Sequence, residues 1–257
     1  MRAAALLVLL LLPQDPPSSL AQARALLDEA RAAERKNGDF DTPGKAALAA
    51  FDAAVKADPA SVDALVGRGD TRAALAAWRH PRGDFTKRAE LEGAIADYEA
   101  ALKLDPARVE AIAGRGFARF KSSVSRFFAR VHVDELFKSG LDDLDQAVKL
   151  RPADVGLRIL RAEALLEKGW YARYRADAHR PAAEAAAGEF REAIKLDPSR
   201  SAELEPRVAA SLRLAESPVA TEDHGAFIVW SKTWEEARRE AAIRRVPIFF
   251  YVSGGAG

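Results

Sequence analysis

Hydrophobic positions along the central two hundred residues recur at helical spacing, and they recur four times over. Four segments end on a proline: residues 47–59, 94–106, 140–152 and 186–198. Counting back from each proline, a small residue stands at the twelfth position (Ala47, Ala94, Gly140, Ala186) and a large apolar one at the eighth (Phe51, Tyr98, Leu144, Phe190). Alanine fills the fifth (Ala54, Ala101, Ala147, Ala193) and an aliphatic residue the fourth (Val55, Leu102, Val148, Ile194). Those offsets trace one face of an α-helix, with small residues admitting a neighbouring helix and the large one filling the space beside them. Lys56, Lys103, Lys149 and Lys195 fall in the last turn, where a cation suits the negative end of the helix dipole, and the proline stops the helix and is expected to open the next. The lysines read as solvated end charges.

The prolines lie 46 or 47 residues apart. After Pro59 come Leu65 and Gly69, and after Pro106 come Ile112 and Gly116, which suits a first helix paired with each second one. A helix near 19–36 and a turn through Asn37, Gly38 and Asp39 complete the first hairpin, and a last helix from about Pro206 to Glu216 is expected to cap the stack.

Small, large, alanine and proline at these offsets resemble the second helix of a tetratricopeptide repeat, and the leucine or isoleucine followed by glycine resembles its first helix. The third unit departs from that pattern: Ala162 replaces the glycine and Arg158 stands where a large apolar residue is usual. The resemblance implies an all-α solenoid of helical hairpins over residues 22–216, lengthened from the family's period of about 34 residues. The surplus falls at one edge, the hairpin tips. His80-Pro81-Arg82-Gly83 and His179-Arg180-Pro181 suggest loops there, whereas the middle insert has no breaker and is expected to extend its helices.

The resemblance also implies a concave groove that binds a protein or peptide. Its first-helix positions in this chain are Asp63, Val66, Asp70, Glu110, Ala113, Phe117, Phe120, Lys121, Ile159, Glu163 and Glu167. An alternative binding strip is offered by aromatic and cationic residues of the inserts: Trp78, Arg79, Arg126, Phe128, Arg130, Trp170, Tyr171 and Tyr174. The plainer account packs those aromatics within the lengthened hairpins.

The two ends differ in texture. Residues 3–12 are an unbroken apolar run behind Arg2, too short to span a bilayer and suited to an export signal over residues 1–21, with cleavage before Gln22. The expectation is therefore a periplasmic or extracellular protein, or one anchored by an uncleaved signal. Beyond a linker at 217–224, residues 225–257 read as strand, helix and strand: Ala226 to Trp230, a capping box at Thr233 to Glu236, and the β-rich run Ile248 to Val252. This order resembles the opening of a thioredoxin-like domain, with Ser253-Gly254-Gly255-Ala256-Gly257 where that family's Cys-x-x-Cys follows. Two explanations stand, a piece of a longer protein, which is favoured, or a remnant packed on the solenoid; the alternative function is then the targeting half of a thioredoxin-like redox or chaperone protein.

Composition narrows the chemistry. The chain has no cysteine, which excludes disulfides, thiolate metal sites and thiol nucleophiles within it. A net charge of +1 supplies no global field for nucleic acid. His80, His132 and His179 recur about once per unit, but hairpins stacked 8–10 Å apart cannot converge three of them on one ion. No nucleophile elbow, phosphate loop or dinucleotide fingerprint is present. The expectation is a binding module with no cofactor and no catalytic residues.

Overall fold

The computed structural model describes residues 19–36, 38–79, 87–127, 134–174 and 178–217, together with residues 235 and 238. Over this span the chain forms the helices α1 (Ser19–Arg35), α2 (Asp41–Ala57), α3 (Val62–Arg79), α4 (Lys87–Leu104), α5 (Val109–Phe127), α6 (Asp134–Leu150), α7 (Val155–Tyr174), α8 (Arg180–Leu196) and α9 (Ser201–Glu216), with a short 3-10 turn at Pro198–Arg200 before the last. Helices pair as α1–α2, α3–α4, α5–α6 and α7–α8, each pair packs on the next, and α9 packs on α8.

The periodic residues form the interior. Phe51, Tyr98, Leu144 and Phe190 are all buried to within 1% of complete, as are Ala47, Ala94 and Ala186. Burying each such large side chain contributes about 1.5–3 kcal/mol. The smallest residues stand where helices cross most closely. A methyl group on Gly116 would lie 2.8 Å from the Gly140 carbonyl oxygen, and one on Gly140 would lie 2.9 Å from that of Gly116. Helices α5 and α6 therefore meet backbone to backbone, and glycine is the residue that permits it.

The junctions between hairpins share one turn. The amide of Ser61, Arg108, Asp154 or Arg200 donates to the carbonyl three residues back, on Asp58, Asp105, Arg151 or Asp197. The Asp58, Asp105 and Asp197 carboxylates also accept the amide two residues on, at 3.0–3.1 Å. In the first three junctions the proline thus sits inside an Asx turn or its Arg151 counterpart and not at the head of the following helix, which opens three residues later.

Two further expectations are corrected. Arg180 and Pro181 are not loop residues: they form the first turn of α8, where a missing amide hydrogen costs nothing. The capping helix α9 opens at Ser201 and contains Pro206 within it. Into the middle insert α5 runs to Phe127 and α6 is helical from Asp134, so both helices extend there as expected. Among the described residues there is no strand. Residues 1–18 of the expected export signal (1–21) and, apart from two helical positions, the strand–helix–strand segment at 225–257 lie outside the described residues.

Candidate functional site

The first helices α1, α3, α5, α7 and α9 each touch the next of their own row, whereas the second helices make no comparable contact with one another. The first helices therefore line the shorter, concave side. Its exposed positions are set by the helical period counted from each junction.

At the rim nearest the turns runs a chain of opposite charges. Arg24 of α1 meets Asp63 of α3 at 2.7 Å, and Asp63 also meets Arg108 at 2.7 Å. Arg108 lies 2.7 Å from Glu110 of α5, whose other oxygen is 2.7 Å from Arg151 in the turn before α7. The hydrogen bond from Arg24 holds the Asp63 carboxyl below its usual value, helped by Arg108, against partial desolvation. At Glu110 desolvation pulls upward, but a backbone hydrogen bond and the two arginines outweigh it, so this carboxyl also lies low. The chain stops at α7 because the corresponding position there is Gly156.

Two turns further along the first helices lies a row formed by Arg31, Asp70, Phe117 and Glu163. Asp70 accepts a hydrogen bond from the Tyr98 hydroxyl at 2.7 Å, and Arg31 stands 3.9 Å from its second oxygen. Desolvation raises the Asp70 carboxyl above its ordinary value despite the Tyr98 bond. Phe117 is half-buried, with the Lys121 ammonium 5.4 Å from its ring centre and 5.2 Å from that of Phe120. Glu163 is held by Arg207 of α9. Glu167 is half-buried at the far end of α7.

Val66, Ala113, Phe120 and Ile159 are buried and belong to the packing of the solenoid, not to its open surface. Of the eleven groove positions read from the sequence, the remaining seven stand at least partly exposed: Asp63, Asp70, Glu110, Phe117, Lys121, Glu163 and Glu167. In the alternative strip, Trp170 is buried in the core with the Arg173 guanidinium over its ring, and Tyr171 stacks on Phe137 with ring centres 4.9 Å apart. Trp170 belongs to the core of its own hairpin, and Tyr171 packs on α6 of the preceding one. Phe128 and Arg130, and the side chains of Trp78, Arg79, Arg126 and Tyr174, lie outside the described residues.

A second ionic pattern was legible in the sequence but is not among the motifs read there. Nine residues after successive junction prolines stand Arg68, Arg115, Arg161 and Arg207, and nine before them stand Asp97, Asp143 and Glu189. Each of the first three arginines grips the acid on the second helix of its own hairpin: Arg68 to Asp97 at 2.6 Å, Arg115 to Asp143 at 2.7 Å, Arg161 to Glu189 at 2.6 Å. A link also reaches back to the preceding hairpin, from Arg68 to Asp52, Arg119 to Glu99 and Arg161 to Asp145. Arg158 joins this stitch through Glu189 at 3.0 Å, which accounts for a cation at a position where an apolar residue was expected.

No protein-family model matches the chain, and no curated protein does. Among solved structures, the chain is similar to a thermophilic TPR protein of Thermus thermophilus, with 19% identity, 78% of this chain and 83% of that one covered, and a TM-score of 0.52. It also aligns with YrrB, described as a TPR protein with an unusual peptide-binding site, at 16% identity over 87% of each chain and a TM-score of 0.42. The first of these likenesses shows the fold, an all-helical TPR-like solenoid.

Proposed function

We propose that this chain is an exported scaffold that holds a protein or peptide along the concave face of α3, α5 and α7. The observation that carries the reading is the half-buried Phe117 with Lys121 beside it, midway along that face and flanked by charges already paired within the protein. An apolar contact inside a polar rim is the usual anatomy of a recognition surface. The TPR-like fold supports the reading by analogy, because such folds offer their concave side to ligands. No catalytic residue takes part in this proposal.

The test is a partner recovered with the full chain from its native extract, followed by titration against Phe117→Ala and Lys121→Ala. An anchor residue of this kind is expected to cost about 1–2 kcal/mol, or roughly a fivefold to thirtyfold loss of affinity. Affinity unchanged in both variants would move the site away from this face. Export is checked separately by sequencing the N-terminus of protein isolated from cells, with Gln22 expected first. The pattern of residues 225–257 supports a second reading, in which the solenoid directs a thioredoxin-like partner domain. An in-frame continuation of the gene encoding Cys-x-x-Cys would support it, and a stop codon after Gly257 would remove it.

A further inference from the structure

We infer that the ion-pair chain Arg24–Asp63–Arg108–Glu110–Arg151 sets the curvature of the solenoid and makes that curvature respond to ionic strength. Three of its contacts cross from one hairpin to the next: Arg24 to Asp63, Asp63 to Arg108, and Glu110 to Arg151, each at 2.7 Å. It lies along the turn-side ends of the first helices, which pack against their second helices far more extensively than against one another. Beneath this rim the hairpins are joined by buried apolar contacts, among them Val109, Ala113 and Leu157.

Isolated surface ion pairs contribute little, and shared carboxylates in a network are the exception. Here Asp63 and Glu110 are each held by two guanidinium groups, and both carboxyls lie below their ordinary values. The network is also open to solvent, with side chains 34–53% exposed. Within each hairpin the stitch is deeper, its arginines 21–26% exposed on acids at most 14% exposed, whereas its backward legs end on Asp52, Glu99 and Asp145 at 40–49%. Added salt therefore weakens the rim before it weakens the bonds inside each hairpin. The hairpins stay joined through their apolar faces while the rim spreads, so the solenoid flattens without unfolding.

The absence of cysteine makes the test direct. Ala25→Cys and Ala153→Cys, both exposed and beside the two ends of the chain of charges, accept a donor and an acceptor dye on the full-length protein. Energy transfer should fall as salt rises from about 0.01 M to about 1 M, across which the screening length contracts from about 30 Å to about 3 Å. The Asp63→Asn, Glu110→Gln double variant should start at the high-salt efficiency and stay there. Glu99→Gln, which removes an exposed leg of the stitch, should still respond to salt. Circular dichroism of each variant confirms that the helices are retained. A flat wild-type response, or a double variant that responds like the wild type, overturns the inference.

Discussion

Two junctions in the middle of the solenoid solve the same packing problem with opposite residues. Where α4 meets α5, the large residue is Tyr98, and the position facing it on the next first helix is Gly114. A methyl group there would lie 2.4 Å from the Tyr98 ring. One hairpin later the large residue is only Leu144, and the corresponding position is Leu160, which packs in the same cluster. The junction before both repeats the first solution, with Phe51 against Gly67 and a methyl group there only 2.2 Å from the ring. Volume is conserved across the joint while its division between the two helices is not, as close-packed interiors require. Tyr98 adds a feature that leucine cannot: its hydroxyl passes between α3 and α5 and donates to Asp70 on the concave face. That joint therefore couples the core to the candidate binding surface, and the next one does not.

The largest expected effect tests what the two junctions share. Asp97 and Asp143 are buried acids of the stitch, at 5% and 6% exposure, each gripped by arginines of its own hairpin. Asp97→Ala and Asp143→Ala are each expected to lose about 3–5 kcal/mol, because the arginines are left without their buried partner. Urea denaturation followed by circular dichroism measures both. A loss confined to one of them would show that the joints differ in their ionic bonding as well as their packing.

The next effect tests the exchange of volume. Gly114→Leu should cost about 1–3 kcal/mol through overpacking, and Tyr98→Leu about 1–2 kcal/mol through lost area and the lost bond to Asp70. Together they recreate the α6–α7 arrangement, so the double variant should be more stable than their sum by about 0.5–3 kcal/mol. Strict additivity would break the comparison.

Smaller still is the difference in helix starts. Asp154 accepts the amide of Leu157 at 3.1 Å at the head of α7, whereas Arg108 holds the corresponding place before α5. Asp154→Ala should cost about 1 kcal/mol, while Arg108→Ala should leave helix initiation untouched and act only through the rim.

The smallest effect is a pH dependence. The folded Asp63 carboxyl lies below its ordinary value of 3.8. Its contribution is complete above that value and is lost as pH falls through the lower folded one. Asp63→Asn should thus lower stability slightly at neutral pH and flatten the acid side of the profile, the two proteins converging below the folded value. Asp97 has the opposite sign. Desolvation raises its carboxyl despite Arg68, so its ionised form costs stability as pH climbs past the ordinary carboxylate range. An acid limb equally steep in Asp63→Asn would show that the rim carboxylates are not held as the geometry implies.

Much of the fold was written along the chain. The offsets of Phe51, Tyr98, Leu144 and Phe190 from their prolines required a repeated amphipathic helix, because a 3.6-residue period admits only one way to bury those positions together. The register of the hairpins follows from the same spacing. The candidate site was legible only in part. Asp63, Asp70, Phe117 and Lys121 stand on the open face, but Val66, Ala113, Phe120 and Ile159 differ from them by a single step around the same helices and are buried. Whether a position at the edge of an apolar stripe meets solvent depends on the rotation of each helix against its neighbours. That rotation is set by contacts between side chains remote in sequence, such as Tyr98 with Gly114 or Arg207 with Glu163. The sequence determined which residues repeat, and only the packed solenoid decided which of them are left for another molecule to touch.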